Sequence, residues 1–137
     1  MSLEENKAVA RKFLEMLNDK DLAGYASVCS PELANEWVRD TPKAYALWGT
    51  HHIDVIDMVA EGDKVWCRLA TRGGHSGTWD GIPWEGIPPT GKQWTNTGMF
   101  FLRFADGKIV QQEGLFDDLN LLKQLGATIT PPAPQQA

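Results

Sequence analysis

Residues 91–125 read GKQWTNTGMFFLRFADGKIVQQEGLFDDLNLLKQL, and this run limits the possible folds more than any other part of the chain. Side chains alternate with period two over residues 93–104 and again over 108–116, the spacing of strands that present opposite faces. Between them, Ala105-Asp106-Gly107 puts an Asp-Gly pair where a tight hairpin needs positive backbone torsions, so the two strands are predicted to be antiparallel neighbours. Asp117 and Asp118 come directly after. Apolar spacing then predicts a short helix over residues 119–125, ended by Gly126. The hairpin is thus a device for delivering a carboxylate to the end of a sheet.

Upstream the periodicity differs. Ser2 and Glu5 have the spacing of a capping box, and Leu3, Val9, Ala10, Phe13, Leu14 and Leu17 recur at three- and four-residue intervals, which predicts a first helix. Asp21 can cap a shorter second helix through Leu22, Tyr25, Ala26 and Val28. It should stop before Pro31, because the residue preceding a proline is pushed out of the helical region. Residues 32–50 leave the assignment open, with a short helix after Pro42 as one solution.

From Ile53 the period becomes two, with Ile53, Val55, Asp57 and Val59 on one face and Asp54, Ile56 and Met58 on the other. A turn at Glu61-Gly62-Asp63 returns the chain into a strand where Val65, Cys67 and Leu69 alternate with Trp66, Arg68 and Ala70. Residues 73–91 are rich in glycine and proline and carry His75, Trp79 and Trp84, the composition of a long loop with aromatic anchors. The last residues, TPPAPQQA, have no charge and no periodic face, so residues 130–137 are expected to be an extended or disordered tail on a single domain spanning 1–129. Helices succeeded by antiparallel strands predict an α+β architecture, one curved sheet against the N-terminal helices, forming a cone with a central pocket.

The bulk numbers narrow the partners. A chain of 137 residues buries enough surface for a real core. A net charge of -5 without a basic cluster argues against nucleic acid and anionic membranes, leaving a small hydrophobic molecule or a second copy of the chain. Two cysteines without CxxC spacing, and no apolar leader or stretch of about 20 apolar residues, fit a cytoplasmic setting with no membrane span. His51 and His52 are adjacent and would point to opposite sides of a strand, which is poor geometry for a shared metal, so no metal site is expected.

Several side chains are candidates for chemistry. Asp117, next to Leu115 and Phe116, could be a base whose pKa is raised by burial, with Asp118 as helix cap; alternatively both aspartates cap the last helix. Glu113 lies four residues before Asp117, so an uninterrupted strand would put both carboxylates on one face and hold one protonated. The other reading turns that face to solvent beside Gln111, with Gly114 as a place for a bulge. His75 could donate to a substrate carbonyl or be polar surface. Trp79, Trp84, Trp94 and Phe100 could wall a pocket for a planar substrate, and Asn96, on the strand face of Trp94 and Phe100, could orient it. Gln93, Thr95, Thr97 and Met99 would form the opposite face, suited to pairing of two sheets.

PPTGKQ, FLRFADGKIV, the aspartate after it, LLKQLGA, and MVAEGDKV ahead of the second strand together resemble the SnoaL-like polyketide cyclases, or ester cyclases, of the nuclear transport factor 2-like superfamily, over about residues 5–127. The resemblance implies a cone fold, a homodimer and an intramolecular aldol cyclisation of a polyketide methyl ester without metal or organic cofactor. It also implies an aspartate as general acid/base, matched here by Asp117. The fold is shared with epoxide hydrolases, dehydratases and isomerases, and with non-catalytic binders, so the same pocket could instead activate water on an epoxide or simply hold a ligand.

Overall fold

The computed structural model describes residues 1–78 and 87–135. Helix α1 (Leu3–Asp19) starts as its capping box requires, with the Ser2 hydroxyl accepting the Glu5 N–H at 3.1 Å. A 3-10 turn (Leu22–Gly24) capped by Asp21 leads into the single turn α2 (Tyr25–Val28). Helix α3 (Pro31–Trp48) corrects the sequence reading in two ways. Pro31 does not merely stop the preceding helix; it sits in the first turn of the next one, where its missing N–H costs nothing, behind Ser30 as cap. The open stretch after it is one helix that passes through Pro42. A proline inside a helix costs about 3 kcal/mol. Here Leu33 and Ala34 before it and Leu47 after it are all buried, so both halves of the helix are anchored by packing.

Strands β1 (His52–Glu61), β2 (Lys64–Gly74), β3 (Gln93–Ala105) and β4 (Lys108–Phe116) form one antiparallel sheet in the order β1-β2-β3-β4. Asp106 and Gly107 both adopt positive φ, 50° and 77°, as the Asp-Gly turn predicts. Two irregularities break the simple alternation. Between Val55 and Asp57 the register shifts, so Met58 pairs with Cys67 and turns inward while Val59 turns out; the expected face of Ile53, Val55, Asp57 and Val59 does not exist as one face. At the start of β4, Arg103 pairs with Gln111 but Phe104 pairs with Ile109, leaving Val110 over. Ile109 is therefore fully buried while Leu115 is 77% exposed, although simple alternation would put them on one face. Gly114, the expected bulge site, pairs in register with Phe100.

The inward face of the sheet is ordered in rows across the strands. Phe104 and Ile109 lie at the narrow end, then Val65 and Leu102, then Met58, Cys67 and Phe100. Above them come Leu69, Gly98 and Phe116, next Ile53, Thr71 and Asn96, and last Gly73 and Trp94. Phe13 and Tyr25 from the helices close over the lower rows, fully buried. The narrow end is tied shut where Ser30 N–H donates to Ile109 O at 2.8 Å and Lys108 Nζ to Ala26 O at 2.9 Å.

β3 is longer than β4 at the open end, because β4 finishes at Phe116 opposite Gly98. Helix α4 (Asp118–Gln124) occupies the place of the missing strand. The Gln124 amide accepts the Thr95 N–H at 3.0 Å and donates to Thr95 O at 2.7 Å, reproducing with one side chain the donor and acceptor of a neighbouring backbone. Residues 127–135 form no helix or strand. Among the described residues no helix is long and apolar enough to cross a membrane.

Two strand glycines make room for rings. A Cβ on Gly98 would lie 2.1 Å from the Phe116 ring, and one on Gly73 would lie 2.8 Å from the Trp94 indole. Gly98→Ala should therefore push Phe116 out of its place over β3 and destabilise the protein by about 1–3 kcal/mol, the usual cost of overpacking. Urea unfolding of the variant against the parent measures this, and an unchanged midpoint would contradict it.

Candidate functional site

The upper rows, α3 and α4 enclose a cavity of about 250 Å³ at the open end of the cone. Its walls are chiefly aromatic, from Trp37, Trp48, Trp94, Phe100 and Phe116. Phe116 meets Phe100 edge-on at 5.8 Å and Trp48 meets Trp94 edge-on at 5.0 Å. The Trp94 Nε1–H donates to Gly74 O at 2.8 Å, so this buried indole has its polar atom satisfied and offers the cavity only its ring.

Six polar side chains reach the same cavity, and their hydrogen bonds sort them. Thr41 is engaged with the Tyr25 hydroxyl at 3.0 Å, and the Tyr45 hydroxyl donates to Leu17 O. Asn96 is 5% exposed. Its Oδ1 accepts from Asn120 Nδ2 at 3.2 Å, and Asn120 Nδ2 is itself oriented toward Thr95 O at 3.5 Å. This leaves the Asn96 Nδ2–H groups as donors without a protein acceptor among the described residues, on a residue that lines the cavity. Thr71, the direct strand partner of Asn96, stands beside it. His51 and Asp118 complete the set. Among the described residues neither side chain has a hydrogen-bond partner.

The two aspartates exchange the places expected from sequence. Both aspartates are exposed: Asp117 is the N-cap of α4, its carboxylate accepting the Asn120 N–H at 3.0 Å, whereas Asp118, expected as the cap, reaches the mouth of the cavity. The cause is the helix start: Asp117 leaves the strand with φ -78° and ψ 75°, and the first helical residue then turns its side chain back over β3. Partial burial raises the Asp118 pKa above the ordinary carboxylate value, and the negative Asp117 beside it adds to the rise.

The remaining candidates end up in different places. Trp94, Asn96 and Phe100 line the cavity. Glu113 does not share a face with a pocket acid; it lies on the outer sheet surface, exposed, accepting from Gln111 Nε2 at 3.0 Å. His75 is neither surface nor pocket. It is 2% exposed, and its Nδ1 accepts the Thr90 N–H at 3.2 Å while its own carbonyl accepts the Gly91 N–H at 2.9 Å, so it fastens the returning end of the loop. Trp79 and Trp84 lie outside the described residues. Among the described residues no three His, Cys, Asp or Glu side chains gather to hold a metal ion.

His51 is the residue that sequence reasoning passed over. Its neighbour His52 points outward to Asp54 at 3.0 Å, and His51 points inward, its ring 5.8 Å from that of Trp94. A signal exists in the spacing: His51 stands two residues before Ile53, which is buried, and period two puts both on one face. Burial lowers its pKa to about 4, with the adjacent His52 contributing.

The chain matches the family model for the SnoaL-like polyketide cyclase over residues 7–125. Among solved structures it is similar to TsrD from Streptomyces laurentii, with 21% identity, a TM-score of 0.81, and coverage of 93% of this chain and 99% of that one. AclR, a candidate hydroxylase from Streptomyces galilaeus, is 25% identical with a TM-score of 0.76, over 91% of this chain and 98% of that one. IdmH, a candidate polyketide cyclase from Streptomyces antibioticus, is also 25% identical with a TM-score of 0.74, over 89% and 99% respectively. No protein of curated function matches the chain.

The lowered pKa of His51 links protonation to stability. Its unfolded imidazole takes up a proton near pH 6.5 and its folded one only near 4, so stability is full above 6.5 and falls as the pH drops from 6.5 to 4. The loss should not exceed about 3–4 kcal/mol. Denaturant unfolding at pH 7.5 and pH 4.5 tests this, since His51→Phe should lose less stability on acidification than the parent.

Proposed function

The chain belongs to the SnoaL-like polyketide cyclase family, and from that premise we propose that it is an acid/base enzyme which enolises a compact hydrophobic carbonyl compound and closes a carbon–carbon bond within it. The single observation that carries this reading is Asp118, a carboxylate of raised pKa with no protein partner among the described residues, at the rim of an aromatic cavity. Asp118, not Asp117, is the base in this proposal.

The steps balance without any redox partner. Asp118 removes a proton from the carbon next to a carbonyl, the C–H electron pair becomes the enolate double bond, and the oxygen gains negative charge. Asn96 Nδ2–H donates to that oxygen from a fixed position, since its Oδ1 is already held by Asn120. The enolate carbon attacks a second carbonyl of the same molecule, forming the new bond, and the resulting alkoxide takes the proton back from the Asp118 carboxylic acid. A pKa raised by burial suits both halves of this cycle, because the group must accept the proton and then release it. A carboxylate that activates water on an epoxide would use the same residues, and AclR, described as a candidate hydroxylase, is among the similar structures.

Two copies pairing through the outer face of the sheet is part of the same proposal. Trp66, Met99 and Leu115 are 40%, 53% and 77% exposed there, and Trp66 lies 5.2 Å from the Phe101 ring, an apolar patch of the kind that marks an interface.

Two measurements check these statements. On a panel of enolisable aryl ketones, keto esters and small epoxides, Asp118→Asn should lower turnover of any accepted substrate by about 10²–10⁴-fold. Asp117→Asn, which caps a helix equally well and removes only the smaller contribution to the Asp118 pKa, should lower it far less; the reverse pattern would sink the assignment. Leu115→Glu should convert a dimer to a monomer in size-exclusion chromatography with light scattering, and a parent protein that runs as a monomer at micromolar concentration would dismiss the pairing.

A further inference from the structure

We infer that His51 is a second ligand-facing group of the cavity, a neutral imidazole that hydrogen-bonds an oxygen of the bound molecule at the open end of the cone. The inference rests on reading the cavity as a ligand site but not on Asp118 being a base. Three observations lead to it. His51 lines the cavity, and its ring lies 5.8 Å from Trp94, whose own N–H is spent on Gly74, so the imidazole is the polar feature of that wall. His51 has no side-chain hydrogen-bond partner among the described residues, while Thr41 and Tyr45 in the same cavity do. A half-buried imidazole whose ring nitrogens are accessible and without a partner among the described residues has a donor and an acceptor open to an oxygen of a molecule in the cavity. Finally, His52 is turned away and held by Asp54, which is bridged in turn by Arg72 at 3.4 Å, so the backbone there cannot rotate to give His51 to solvent without breaking an outer-face network.

The charge state fits the same role. The titratable groups around the imidazole are His52 behind it and Tyr45 and Asp118, which line the same cavity; burial, with His52 acting in the same direction, keeps the ring uncharged. A neutral imidazole presents one N–H donor and one lone pair, which suits a carbonyl or hydroxyl oxygen and not a carboxylate that would demand a cation. Asn96 and Thr71 sit one row below on β3 and β2. A ligand that spans the cavity therefore meets oxygen-reading groups on two rows, with aromatic rings on its flanks. The chemical class is a compact aromatic or polycyclic molecule that carries a carbonyl or hydroxyl at the end nearest the opening.

The test uses the full-length protein and a matched pair of probes, 1-tetralone and tetralin, which differ in one carbonyl oxygen. Binding is monitored by tryptophan fluorescence, since Trp48 and Trp94 form the wall, and by ¹⁵N chemical shifts of the histidine side chains. The parent should bind the ketone about tenfold tighter than the hydrocarbon, the worth of one hydrogen bond in a dry site. Addition of the ketone should move the His51 ring nitrogen resonances and leave those of His52 in place. His51→Phe should bring the two affinities together, and His51→Gln, which keeps a donor, should restore part of the difference. Equal affinity of the parent for both probes, an unmoved His51 resonance, or a preference that persists in His51→Phe would each overturn the proposal. If Asp118→Asn keeps the ketone preference but no turnover is found for any protein, the acid/base reading fails and the role of His51 stands.

Discussion

The unpaired edge of β3 is the constraint on which the arrangement of this molecule depends. Five residues of that strand extend past the end of β4, and their backbone groups need partners. Gln124 meets Thr95 with both a donor and an acceptor, and Asp117 N–H reaches Thr97 O at 3.3 Å, so the edge is covered by a helix held across it. That docking fixes α4 at the mouth of the cone. Leu121 and Leu125 then pack on Trp94, and the first residue of the helix leans over the cavity. Without the overhang of β3 there would be no place for α4, and Asp118 would not reach the mouth of the cavity.

Space inside the cone comes from glycine as much as from curvature. Gly98 and Gly73 leave gaps on the inner face that the rings of Phe116 and Trp94 fill from neighbouring strands, so the aromatic walls lie close against the sheet and the volume above them stays open. The same partial burial acts on two of the cavity's titratable side chains in opposite senses. Desolvation penalises whichever form is charged, which raises the pKa of the Asp118 carboxyl and lowers that of the His51 imidazole. One physical cause thus brings an acid nearer to keeping its proton and a base nearer to giving its proton up.

Much of the fold is legible in the sequence because local physics decides it. The capping box at Ser2, the Asp-Gly turn at 106–107 and the period-two runs of β2 and β3 depend on neighbours a few residues away, and the structure has them where the spacing puts them. Trp94, Asn96 and Phe100 are legible for the same reason, as one face of one strand. Where sequence and structure part, the cause is long-range. The local penalty of Pro42 argues for a break, whereas burial on either side of it carries the helix through. Period two treats β1 and β4 as uninterrupted, and one extra residue in each flips every later side chain to the other face. His75 looks like a free polar side chain because its partner, Thr90, lies fifteen residues away across a loop.

The amino-acid sequence alone determined that a curved antiparallel sheet would come after helices and that two aspartates would stand at the entrance to the last of them. It also determined which strand face would carry Trp94 and Asn96, since periodicity and turn chemistry are properties of short segments. Only the tertiary structure decided which aspartate caps and which faces the cavity, and that His51 faces it too. Those outcomes turn on the angle at which α4 meets β3 and on the register of β1 against β2, quantities set by contacts between segments far apart in the chain, to which no local pattern has access.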